Sequence, residues 1–248
     1  MITVVKQKEP NILISNKVSW TTELLDEIRV VGSFDSLPEE SKKIIASRYK
    51  HTEIKNSLIP IQDTKCVFCE TIPNESGYVE IEHYLPKAIY PEETFSWDNL
   101  LPSCKRCNLK KLSLDTKKFP IVKPDVDNPE DYFVYNSIKI ECKKDALDID
   151  KAQRTINRLD LNQYRLIKPR SVLLVSLVEY ENTLEKTINE YKTAKRKDKK
   201  DRVINNIMES IDKIDDLCTD TQKHAGFCRF YVQNSSIIIE AKRLIQQH

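Results

Sequence analysis

The sequence predicts an α+β protein, predominantly helical, with N-terminal helices, a loop-rich centre bracketed by cysteines, and a C-terminal helical hairpin or bundle. Three observations predict it. Apolar residues recur at helical spacing through the C-terminal part: Leu173, Leu177, Tyr180, Leu184, Ile188 and Tyr191, then Ile204, Ile207, Ile211, Ile214 and Cys218. Two CxxC pairs, Cys66/Cys69 and Cys104/Cys107, stand 34 residues apart. Between and after them, short β-like runs are punctuated by prolines. The expected divisions are 1–60, 61–145 and 146–248.

The first twenty residues, with Pro10 and Ile12-Leu13-Ile14, read as an extended arm, and 21–31 as a short helix. A firmer helix begins near Pro38 with Ser36 available as a cap; Ile44, Ile45, Tyr49, Ile54 and Leu58 line its buried side, with a break near His51-Thr52. After the cysteine segment, Tyr132–Tyr135 and Ile138–Glu141 flank Asn136-Ser137 as a hairpin. From about Asp148 the pattern is helical. Lys195-Arg196-Lys197-Asp198-Lys199-Lys200 separates the two long ladders, so they form an antiparallel hairpin with a basic tip, either a solvated turn or a nucleic-acid contact. A last helix carries Phe230, Ile237, Ile238, Ala241, Leu244 and Ile245. The apolar hairpin faces are core, a homodimer surface or a partner surface; spacing alone leaves the three open.

Composition narrows the function. Three glycines allow neither G-x-G-x-x-G nor a Walker A loop, so any nucleotide hydrolysis must come from another chain. Net charge is only +2, so nucleic-acid binding must be argued from local clusters. No apolar run approaches the roughly 20 residues of a membrane span, and the start has no secretory core, so a cytoplasmic location without membrane contact is expected. Seven cysteines, four of them in CxxC pairs, suit metal-bound thiolates in a reducing compartment.

Two CxxC knuckles supply four thiolates, the set that closes a tetrahedral structural zinc site with no open position. Cys66, Cys69, Cys104 and Cys107 are therefore expected to hold Zn2+ and to stand in for a core that a short segment cannot build. The second knuckle runs straight into Asn108. Glu82 and His83 follow Tyr78-Val79-Glu80-Ile81, which reads as a strand; adjacent strand residues face opposite ways, so both reach one substrate only if the strand ends or bulges there. Glu82 carboxylate and Asn108 carbonyl suit a hard divalent cation, Mg2+ or Mn2+, and neutral His83 suits general-base work on an attacking water.

Glu82-His83, then Asn99, then Cys104-x-x-Cys107-Asn108-x-x-Lys111 resembles the HNH (ββα-metal) endonuclease motif. The resemblance implies two strands and a helix around one catalytic ion. Glu82 takes the acidic ligand place, His83 the general base, Asn99 the residue that holds the loop, and Asn108 the final ligand. Glu82 is a departure, since Asp or His is commoner there. Ile81-Glu82-His83-Tyr84-Leu85-Pro86-Lys87, the lead-in Arg48-Tyr49-Lys50-His51, Asn128-Pro129-Glu130-Asp131 and Ala152-x-x-Thr155-Ile156 are similar to HNH proteins encoded with retrons and Septu-type anti-phage systems. In such systems the HNH protein works with an ABC-type ATPase. The residues from Lys105 to Lys123 hold seven basic side chains and one acid. Lys105, Arg106, Lys110 and Lys111, with Lys87, are accordingly expected to meet DNA or RNA phosphates without reading sequence. The rival expectation is a catalytically silent zinc-binding adaptor in which Glu82 and His83 are structural.

Overall fold

The computed structural model describes residues 1–58, 65–73 and 79–248. The boundary expected at 60/61 and Tyr78, the first residue of the expected strand, lie outside them. Among the described residues the chain is predominantly helical, with two small two-stranded sheets, and divides into two compact units. The first comprises Met1–Phe133 and Cys142–Leu161, the second Val134–Glu141 and Asn162–His248.

The first unit opens with α1 (Asn11–Val31), α2 (Glu39–Tyr49) and α3 (Thr52–Leu58). The extended arm is thus shorter than its sequence suggested. Pro10 caps the start of a helix instead of lying within an extended arm, because its fixed φ suits an N-terminus and its missing N–H is not needed there. Gly32 closes α1 at φ 92°, a left-handed position that a side chain would strain. Pro38, not Ser36, stands at the start of α2; the Ser36 hydroxyl instead meets Ser33. Ile45, Tyr49, Ile54 and Leu58 are buried as the spacing implied, whereas Ile44 is exposed. With Leu13, Leu24, Phe34, Phe95 and Trp97 they build one apolar core, and Ile81 and Leu100 pack into it.

That core carries a small sheet. β1 (Val79–His83) pairs antiparallel with β2 (Leu100–Cys104), with Glu82 opposite Leu101 and His83 opposite Leu100. β2 passes directly into α4 (Lys105–Lys111), which packs on both strands. Leu112, at φ 48°, ends that helix. Finally α5 (Ile149–Leu159), capped by the Asp148 side chain, packs on α4 and buries Ala152, Thr155, Ile156 and Leu159.

The second unit holds most of the hairpin β3 (Phe133–Asn136) and β4 (Lys139–Cys142), with Ser137 at φ 52° in the turn. Two bonds from the Asn162 side chain to the Ile140 backbone tie it to the start of α6 (Tyr164–Thr193). α6 and α7 (Lys197–Asp216) pack together through Leu177, Leu184, Ile188, Ile204, Ile207, Ile211 and Ile214. The basic tip is partly neutralised from within: Arg196 meets Asp198 at 2.7 Å and Lys199 meets Glu190 at 3.2 Å. The expected last helix is two, α8 (Ala225–Asn234) and α9 (Ser236–Gln247), because Ser235 caps the second through Ile238 N–H. Among the described residues no helix is long and apolar enough to cross a membrane.

Candidate active site

The site is assembled by β1, β2 and α4, and the cysteines gather at their junction. The thiols of Cys66, Cys69, Cys104 and Cys107 are buried and lie within 4.8 Å of one another. A tetrahedron with metal–sulfur bonds near 2.3 Å has sulfur–sulfur edges of about 3.8 Å. Cys69 and Cys104 are 3.8 Å apart, so the set fits a metal such as zinc. The first knuckle is folded by Glu70, at φ 58°, with Glu70 N–H bonded to Cys66 O at 2.9 Å. Val67 N–H then binds Pro102 O at 3.1 Å, which fixes the knuckle to β2. In the second, Cys104 caps α4 and its sulfur accepts from Cys107 N–H at 3.4 Å. Hydrogen bonding within the cluster, first from Cys107, lowers the Cys104 thiol to about 7.

β1 ends at His83, the strand end that the sequence called for, and its pairing with β2 is regular up to that residue, without a bulge. The two side chains leave opposite faces. Glu82, with Glu80 two residues earlier, faces α4; His83, with Ile81, faces the apolar core. Both still line one cavity of about 580 Å³, together with Tyr49, Lys50, Lys55, Lys87 and Asn108. Among the described residues β1 pairs only with β2, and the cavity wraps its other, open edge.

His83 is only 6 % exposed, and its ring packs edge-on against Tyr49, centroids 4.7 Å apart. Nε2 lies 3.0 Å from the Thr94 carbonyl, which can only accept, so Nε2 carries the proton and Nδ1 keeps the lone pair. Burial first, then Lys87, with lesser repulsion from Lys111 and Lys50, lowers the imidazole to about 3; it is neutral at ordinary pH. Asn99 holds the loop that carries Thr94: its Nδ2 donates to Leu85 O and Glu93 O, both at 3.0 Å, and its Oδ1 accepts from Leu85 N–H at 2.6 Å.

Lys111 departs from expectation. It is fully buried, with Nζ 2.7 Å from Glu82 Oε1 and 2.8 Å from His83 O. Its place at the end of α4 aims it back at β1, so it is an internal counterion and not a phosphate contact. Burial raises the Glu82 carboxyl, and Lys111 and then Lys87 oppose that rise. Asn108 is also held differently from the expectation: its Nδ2 donates to Glu80 Oε2 at 2.8 Å, which brings a second carboxylate to the site. Glu80 was legible as the residue one strand repeat before Glu82. Tyr49, whose helical spacing marks it as buried, and Lys50, Lys55 and Thr94 carry no local signal for this cavity, because the tertiary fold brings them there.

Lys87 lines the cavity over the Phe34 and Tyr49 rings, at 5.7 and 5.9 Å. Lys105 and Arg106, at the start of α4, are exposed, and Lys110 is exposed with a partner, Asp160, at 3.2 Å.

With that geometry in hand, comparison with curated proteins finds relatives among Septu proteins. Septu protein PtuB of Bacillus thuringiensis is 42 % identical over 137 residues, 54 % of this chain and 50 % of the relative. Septu protein PtuB of Bacillus mycoides (strain KBAB4) is 41 % identical over 73 residues, 24 % of this chain and 25 % of the relative. The chain thus spans about half the length of the first and a quarter of the second. No family model matches the chain.

Proposed function

We propose that this protein is the nuclease component of a Septu anti-phage defence system, hydrolysing phosphodiester bonds of DNA or RNA with an ABC-type ATPase as partner. The likeness to two Septu proteins supports the setting. The observation that carries the chemistry is His83: a neutral imidazole, oriented through Nε2 by Thr94 O, lining one cavity with Glu80, Glu82 and Asn108. The strand–strand–helix order of β1, β2 and α4, with four clustered cysteines where β2 meets α4, supports the HNH reading.

In this reading His83 Nδ1 accepts a proton from the attacking water while Nε2–H stays on Thr94 O. Asn99 keeps that carbonyl in place. Lys50, Lys55 and Lys87 line the cavity and engage the phosphate; burial is the main cause of the depressed imidazole, and the phosphate's negative charge offsets the further repulsion from Lys87 and Lys50. Glu82 and Asn108, with Glu80 beside them, are an oxygen donor set suited to Mg2+ or Mn2+, although Lys111 already holds one Glu82 oxygen. Such an ion, when bound, supplies charge for the phosphoryl and leaving oxygens. Zinc on the four thiolates fixes the α4 start and hence Asn108.

The Lys111–Glu82 pair also favours a second reading, a catalytically silent adaptor, since Glu82 is already partly neutralised. Plasmid nicking and RNA degradation with Mg2+ or Mn2+, with and without the neighbouring gene's product, distinguish the two. The nuclease reading expects activity that His83→Ala abolishes; activity unchanged in His83→Ala overturns the general-base role. Inactivity of the wild type under every condition supports the adaptor.

A further inference from the structure

We infer that the outer face of α6 is a self-complementary dimerisation surface that takes a second copy of this chain, antiparallel. α6 buries Leu166, Leu177, Leu184 and Ile188 on one side. On the opposite side Tyr164 is 74 % exposed, Val172 61 % and Val175 59 %, with Lys168, Glu179 and Thr183 also exposed. Isolated exposed apolar residues need no explanation. These two valines are a helical neighbour pair, and the residues around them have an order that reads the same in both directions.

The spacing along this face is four, four, three, four and four: Tyr164, Lys168, Val172, Val175, Glu179, Thr183. At about 100° per residue all six lie within roughly 50° of one direction, opposite the buried row. A two-fold axis through the midpoint of Val172 and Val175 sets Val172 against the second copy's Val175. The same axis sets Lys168 against Glu179 and Tyr164 against Thr183. Each contact occurs twice, as an isologous interface requires. Opposite charges therefore meet at both ends of the apolar centre in the antiparallel arrangement. A parallel pairing would instead set Lys168 against Lys168 and Glu179 against Glu179. This charge order is what favours a second copy over an unrelated partner.

The face is about 30 Å long, and one helix face of that length buries less than the roughly 800 Å² per partner of a standard interface. The dimer is accordingly concentration-dependent, forming in the micromolar range.

Sedimentation equilibrium of the full chain across micromolar concentrations tests this, with circular dichroism confirming that each variant is folded. The wild type is expected to pass from monomer to dimer, and Val175→Glu to remain monomeric throughout. Lys168→Glu creates two like-charge contacts and weakens the dimer at least about tenfold. Lys168→Glu with Glu179→Lys restores opposite charges and recovers wild-type affinity. A wild type that stays monomeric overturns the inference. So does a dimer indifferent to Val175→Glu, or a charge swap that fails to recover affinity.

Discussion

Replacing Lys111 with methionine isolates the least expected contact in the site. The ammonium has no solvent exposure and holds two groups, Glu82 Oε1 at 2.7 Å and His83 O at 2.8 Å. Methionine keeps most of the volume and removes the charge. A carboxylate that is 4 % exposed then loses its counterion, and a buried carbonyl loses its donor. Breaking one side of a buried pair costs about 3–5 kcal/mol, a large part of a domain's total of roughly 5–15 kcal/mol. Removing both charges together, in Lys111→Met/Glu82→Gln, leaves no unpaired ion and loses clearly less than the single variant. Both tryptophans, Trp20 and Trp97, belong to the core of the first unit, so fluorescence during urea unfolding reports on that unit directly. A loss below about 1 kcal/mol in Lys111→Met refutes the claim that this pair is closed to water. A double variant as unstable as the single refutes the claim that the stranded carboxylate is the cause.

Further outcomes follow from the same geometry. Cys104→Ser is expected to lose metal and local fold together, because the sulfur is both a cluster member and the α4 cap; metal analysis with circular dichroism checks it, and a folded, zinc-replete variant contradicts it. Asn99→Ala leaves the Leu85 and Glu93 backbone groups without their partner, a loss of about 2–4 kcal/mol by urea unfolding. Lys6 is lowered to about 8 by burial, only partly offset by Asp125. Its folded-state value lies below the ordinary 10.5, so the unfolded chain binds more protons between those pH values and wild-type stability gains on Lys6→Met as pH rises through them. A stability difference that is flat over that window contradicts this.

How legible the chain was depends on the range of the interactions. The cysteine cluster was readable because CxxC spacing carries it, whereas the loop-holding place of Asn99 and the strand–strand–helix order came only with the family resemblance. The ladders of α6 and α7 were readable from their spacing as well. Two misreadings have a shared cause, local signals with two meanings: Pro10 begins α1 where it was taken for an arm, and Ser235 splits the last helix. The largest correction, Lys111, lay in a run of basic residues that suggested a surface. Only the packing of α4 against β1 turns that side chain inward. Likewise, His83 reaches the same cavity as Glu82 without a bulge: β1 ends at His83, and the cavity is lined by β1 residues from both faces.

In the proposed function, Glu82 and Asn108 hold a hard cation at the edge of β1, in front of His83. Anomalous scattering from crystals of the zinc-replete protein grown with Mn2+ tests it most directly. A manganese peak is expected within about 2.5 Å of a Glu82 oxygen and Asn108 Oδ1, separate from the zinc at the four cysteines. Manganese absent from that edge would contradict it.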